Sequence, residues 1–301
     1  MRENNHVADE ANLTAYLGKR TEWFSWYEGV DEPNSIWRQL NLMIFSEMSY
    51  RVVRQERDRG FESDASAPIV SYLADTAYFG SQMLAIRKLL EPKDNVISLK
   101  RVLKDLKQNK SLITREVFVC YDGTRYDPGT PTITVPGLQP EDSPFSEWSR
   151  STRRHELFDR LSNATSSGRS RTDVIRDEVF WRLDHWIKNS GASELILVCN
   201  KYLAHAATSR SIAGVQSSGI TFDQVESVQK ILVRVAKAIY DLILTSGVFS
   251  PVVGMPQLGY FGKVWNNADL VPRVKRMNDD WDQLETIRNS WPDNLEDDLL
   301  A

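Results

Sequence analysis

The feature that most constrains this chain is a capped apolar repeat at residues 221–243. Thr221 and Gln224 stand in the Thr-x-x-Gln spacing in which each side chain satisfies a free backbone N–H of the other at a helix start. Val225, Val228, Ile231, Leu232, Val235, Ile239, Leu242 and Ile243 then recur at helical spacing for about five turns. A helix with so long an apolar stripe must bury it, and the simplest cover is other helices.

The chain offers those helices. Asn34 or Ser35 can cap a helix carrying Ile36, Leu40, Met43 and Ile44, which Gly60 ends after a charged stretch. Pro68 suits the first turn of a second helix that Pro92 stops. A third starts near Ser98, with Leu99, Val102, Leu103 and Leu106 facing one way and lysines facing the other. Residues 151–163 form a further helix, and 162–171 read as a linker. Thr172 can cap a helix with Ile175, Val179, Leu183, Trp186 and Ile187 on its buried side, with Trp181 also packed in the core. After Asn189-Ser190-Gly191 another helix runs from about Ala192 to the His205 region.

Between Cys120 and Pro144 lie the turn signals Asp122-Gly123, Asp127-Pro128-Gly129 and Pro136-Gly137. Val117–Tyr121 and Ile133–Val135 could pair there as a small hairpin. The first 33 residues form an extension whose Trp23, Phe24, Trp26 and Tyr27 pack onto the body as a short helix or anchored segment. Residues 251–301 read as a less regular C-terminal extension held by Trp265, Trp281 and Trp291. Gly247 stops the long helix before it.

Composition removes several function classes. The 301 residues carry a formal net charge of -4, which gives no global attraction to nucleic acid or anionic membrane. Two cysteines, Cys120 and Cys199, make a disulfide framework improbable. No apolar run approaches the ~20 residues of a membrane span, and the start lacks a signal-peptide core, so a cytoplasmic protein is expected. Metal-binding spacings, a phosphate-binding glycine loop and a GxSxG elbow are missing, so no metal or other cofactor is expected.

Cys199-Asn200-Lys201-Tyr202-Leu203-Ala204-His205 ends a predicted helix just before a loop and the long capped one. Here the chain resembles the HEPN superfamily of all-α domains, in particular its abortive-infection members. Their hallmark is an Arg, a polar residue such as Asn, about four residues and a His. The Asn200–Ala206 stretch fits the tail of that pattern, and residues 97–123 look similar to a segment of such proteins. The resemblance covers roughly 35–250 and implies a helical bundle, expected over residues 34–250, in which the Pro/Gly-rich segment reads as a loop insertion at 120–150. It also implies a role in phage defence or a toxin–antitoxin pair, and a homodimer in which the motif helices meet. In active members it implies metal-independent RNA cleavage, with His205 moving protons while the ribose 2′-OH attacks the neighbouring phosphate. Asn200 and Lys201 would give polar support.

One departure is chemical. The family's Arg falls at Cys199, so the bidentate phosphate contact of a guanidinium is lost. On an ideal α-helix Lys201 shares the face of His205, while Asn200 lies about 140° and Cys199 about 120° round from it. A purely structural His205, offsetting the dipole of its helix end, stays open beside the catalytic reading. So does a non-catalytic module that engages a protein partner or small ligand.

Arg150, Arg153, Arg154, Arg160, Arg169, Arg171 and Arg176 crowd around the 162–171 linker. Of these, Arg153, Arg154, Arg169 and Arg171 are candidates for gripping an RNA backbone. The alternative is pairing with Glu156, Asp159, Asp173, Asp177 and Glu178.

Overall fold

A computed structural model describes residues 9–60, 67–127, 144–204, 219–245 and 270–301. Among the described residues the protein is all-α, with no strand and one isolated bridge, Thr114 to Val174. The helices are α1 (Glu10–Glu28), α2 (Ile36–Gly60), α3 (Ala67–Leu89), α4 (Leu99–Gln108), α5 (Arg115–Cys120) and α6 (Pro144–Ser162). They continue as α7 (Asp177–Asn189), α8 (Ala192–Val198), α9 (Phe222–Lys237), α10 (Leu270–Ser290) and α11 (Leu295–Leu300). Two of them, α8 and α9, run on as π turns, Cys199–Ala204 and Ala238–Ile243. No helix of the described residues is long and apolar enough to cross a membrane.

The chain divides into two compact units. The first gathers Met1–Ser25, Val102–Asp184 and Glu296–Ala301. Its core holds Tyr16 and Trp23 of α1, Leu103 and Leu106 of α4, Phe118 of α5, Phe158 of α6 and Val179, Phe180 and Leu183 of α7. The N-terminal aromatics are therefore anchored in a helix, with the Trp23 indole N–H donating to Asp105 at 2.6 Å.

Three sequence expectations fail in this unit. Val117–Tyr121 is no hairpin strand, because Arg115–Cys120 is helical and Thr114 caps it by accepting from the Val117 N–H. The proposed partner, Ile133–Val135, lies outside the described residues. Thr172 does not cap α7 either. The stretch before α7 runs alongside the start of α5, and the free N–H groups of Arg115 and Glu116 donate to the carbonyls of Asp173 and Arg171. Trp181 is 57% exposed rather than packed in the core. The buried face of α7 is set by Val179, Phe180 and Leu183, and Trp181 points away from it.

The second unit comprises Trp26–Arg101 and His185–Leu295. In it α3 packs against α2, α8 and α9, while α10 packs along α2. The capping box at α9 forms as its spacing predicts: the Gln224 N–H donates to Thr221 Oγ1 at 3.2 Å and the Thr221 N–H to Gln224 Oε1 at 2.8 Å. Gly247 lies outside the described residues.

The C-terminal stretch is more regular than its sequence suggests. Met277, Trp281, Leu284 and Arg288 recur at helical spacing on the buried side of α10. Arg288 hides that period because it is buried as one half of an ion pair, bonding Glu47 of α2 at 2.6 and 3.1 Å. Pro272 sits in the first turn, where its missing N–H costs no helical bond.

Candidate functional site

The motif segment begins at Gly191, whose φ of 88° is a left-handed conformation that glycine adopts without penalty. Helix α8 then rises for less than two turns before its winding loosens into the π turn Cys199–Ala204. Backbone hydrogen bonds in such a turn run between residues five apart rather than four. The turn packs on α3, where Leu203 Cδ1 lies 3.9 Å from where a Cβ on Gly80 would stand. His205 itself lies outside the described residues.

Within the turn, Cys199 is fully buried, as a small apolar residue would be. Burial raises its thiol above the ordinary range, and the charge of Arg87 on α3 offsets only part of that rise. Such a thiol is a poor nucleophile. Asn200 is half-buried, and its Oδ1 is enclosed without a hydrogen-bond partner among the described residues. Lys201 is also half-buried.

The arginine-rich candidates lie in the first unit and are brought together around a residue the sequence did not single out. Arg115 is wholly buried beneath them. Its guanidinium reaches Asp159 at 2.7 Å, Asp173 at 2.9 Å, the His155 carbonyl at 3.3 Å and the Ser162 hydroxyl at 3.2 Å. The only sequence signal was its place in a short amphipathic run after Thr114, which also fits a strand.

Around it the predicted contacts to RNA are occupied by carboxylates. Arg154 is buried and forked onto Asp122, with both contacts at 2.8 Å, and also bonds the Val119 carbonyl. Arg169 grips both oxygens of Asp159. Arg171 holds Glu116 at 2.5 Å and lies over the Tyr126 ring. Arg160 bonds Glu296 and Asp297. Arg153 is exposed and makes no ion pair among the described residues.

These pairs shift the acids in the expected direction. Burial alone would raise the Asp159 carboxyl, but hydrogen bonds from Arg169 and Arg115 outweigh it and hold it below the usual range. Asp122 is held well below its ordinary value in the same way by Arg154 and Thr124. His155 is buried at the centre of the group, its Nε2 donating to the Tyr126 carbonyl at 2.7 Å. Its Nδ1 has no hydrogen-bond partner among the described residues, and burial, with Arg169 and Arg115 adding repulsion, pushes its pKa down. Among the described residues no cluster of His, Cys, Asp and Glu could hold a metal ion.

What the geometry defines is a class: an all-α protein with an uncoiled helix end in one unit and a charge-balanced arginine network in the other. Comparison with known proteins finds no matching family model, no similar curated protein and no similar solved structure.

Proposed function

We propose that this chain is a HEPN-like cytoplasmic protein acting on RNA in phage defence or as a toxin, working as a homodimer. The observation that carries the reading is the π turn at Cys199–Ala204, which falls on the motif segment directly ahead of His205. Such turns concentrate at functional sites, where a local change of winding re-aims side chains. His205 is the proton-transfer group in this reading, with Asn200 and Lys201 as polar support. The test is cleavage of a mixed RNA substrate with EDTA present. The parent cleaves, and His205→Ala loses about 100-fold or more, the usual worth of a general acid–base. Equal cleavage by the two proteins rejects the reading.

A second reading is favoured by specific contacts. Cys199 fills the place of the family's Arg and is buried, and Arg154, Arg169 and Arg171 are already paired with carboxylates. It makes the chain a non-catalytic module that binds a protein partner or small ligand. RNA that is neither cut nor retarded by the parent protein, under conditions where a HEPN nuclease control is active, favours it.

A further inference from the structure

We infer that Arg87, in the last turn of α3, is an anion-binding residue that holds a phosphate group of the ligand beside the π turn. The source of that phosphate rests on the RNA reading of the motif segment, while the site itself does not.

The register of α3 brings Arg87 to this place. Gly80 lies against Leu203 of the π turn, and Arg87 follows Gly80 by seven residues, two turns along the same face. Both α8 and the π turn pack on α3. Cys199, four residues back from Leu203, is close enough for the charge of Arg87 to act on its thiol. The Arg87 side chain is half-buried.

What Arg87 lacks is a counter-charge. Among the described residues its guanidinium makes no hydrogen bond, ion pair or ring contact. Other half-buried arginines of the second unit are matched. Arg51 and Arg273 meet carboxylates, and Arg101 lies over the Trp26 ring and donates to the Val96 carbonyl. An arginine in a last turn can also bond the terminal carbonyls of its helix. Here the Leu90 N–H takes those of Ile86 and Arg87 and the Glu91 N–H takes that of Lys88, and the Arg87 side chain donates to none of them.

The neighbouring chain supplies no acid. After Glu194 the sequence has no Asp or Glu until Asp223, while it carries Lys201, His205 and Arg210. Asp75, the one acid of α3, bonds the Tyr50 hydroxyl and meets Arg57. Glu91, four residues past Arg87, meets Lys93. A half-buried guanidinium without an acceptor is unfavourable, and its planar fork of donors matches two oxygens of a phosphate. RNA offers that anion at every nucleotide. In the RNA reading Arg87 thus presents, next to Cys199, the group that position 199 does not carry.

Binding by the full chain tests the site with two probes. One is a single-stranded RNA with 2′-O-methyl groups, which lacks the attacking hydroxyl and stays uncut. The other is millimolar inorganic phosphate, read by its effect on thermal unfolding. Arg87→Gln is expected to weaken RNA binding by about 10-fold or more and to lower the salt slope by about 0.7, the worth of one phosphate contact on a single strand. Arg87→Lys keeps the charge without the fork, so it keeps the slope and loses affinity. Arg87→Gln unfolds at the temperature of the parent, because Arg87 leaves no partner behind. Phosphate that stabilises the parent but not Arg87→Gln identifies a free phosphate as the ligand, and a response to RNA alone identifies the backbone. The inference is overturned if neither probe binds the parent, or if Arg87→Gln binds them equally well. Loss in Arg210→Gln but not in Arg87→Gln overturns it too, as does an Arg87→Gln protein that unfolds well below the parent. Cleavage is scored apart. Unmodified RNA that is held through Arg87 yet left uncut rejects the nuclease and leaves this site standing. RNA held and cut equally by the parent and Arg87→Gln, with cleavage lost in His205→Ala, does the reverse.

Discussion

Arg115 and Asp159 form an ion pair of 2.7 Å in which the guanidinium has no contact with solvent. Asp159 also carries Arg169, whose side chain is far more open. The same carboxylate thus serves a buried cation and a half-exposed one, and the two should differ in worth. Asp159→Ala removes a charged hydrogen bond from the buried Arg115, which keeps Asp173 and the His155 carbonyl, and is expected to cost about 1.5–3 kcal/mol. Arg169→Ala leaves Asp159 still paired and is expected to cost at most about 1 kcal/mol. Urea unfolding of the two variants measures the contrast, and equal losses would contradict it.

Acid should unfold the protein in two stages. His155 is neutral in the fold with its pKa depressed by burial, so the unfolded chain binds a proton first as pH falls. Its contribution is complete above about 6.5, the value of a free imidazole, and fades below it as the pH drops toward the folded value. Asp159 and Asp122, held low by arginines, act in a second window that opens below about 4. Stability measured between pH 7 and 5 should therefore decline in the parent and stay flatter in His155→Asn. An identical slope in both proteins would remove His155 from the account.

The all-α class was legible because apolar spacing and capping side chains act within one helix. Thr221 with Gln224, and Ser98 accepting from the Arg101 N–H, show that local chemistry directly. What escaped depends on partners distant in sequence. Arg288 reads as a surface charge until Glu47, far along the chain, is beside it. Arg115 likewise reads as polar until Asp159 and Asp173 close around it. The paired state of Arg169 was foreseen as one alternative because its acid is ten residues away. The π turn left no sign in the sequence, since Cys199–Ala204 has ordinary helix formers and no proline or glycine.

Cys199 gives a third expectation. It is fully buried, with the charge of Arg87 near its thiol. Cys199→Arg would put a second cation beside Arg87 with no carboxylate acting on that position among the described residues, at an expected cost of about 3–5 kcal/mol. Cys199→Ala should cost only about 1–2 kcal/mol, since a small cavity is all it leaves. Thermal unfolding of the pair measures this. If Cys199→Arg is as stable as the parent, the segment opens easily enough to admit a guanidinium.

Gln82 and Gln229 give a fourth. The Gln229 Nε2 donates to Gln82 Oε1 at 2.8 Å, and Gln82 Nε2 donates to the Met43 carbonyl at 3.2 Å, tying α9 and α2 together through α3. Both side chains are buried, and Gln229 Oε1 has no hydrogen-bond partner among the described residues. Replacing one amide leaves an unmatched polar atom in an apolar interior, whereas replacing both removes the mismatch. Gln229→Leu and Gln82→Leu are each expected to cost about 1–3 kcal/mol. The double variant should be more stable than the sum of the two by on the order of 1 kcal/mol, because the pair is in direct contact. Strict additivity in urea unfolding would mean that the two amides do not depend on each other, and that the link from α9 to α2 rests on the surrounding apolar contacts alone.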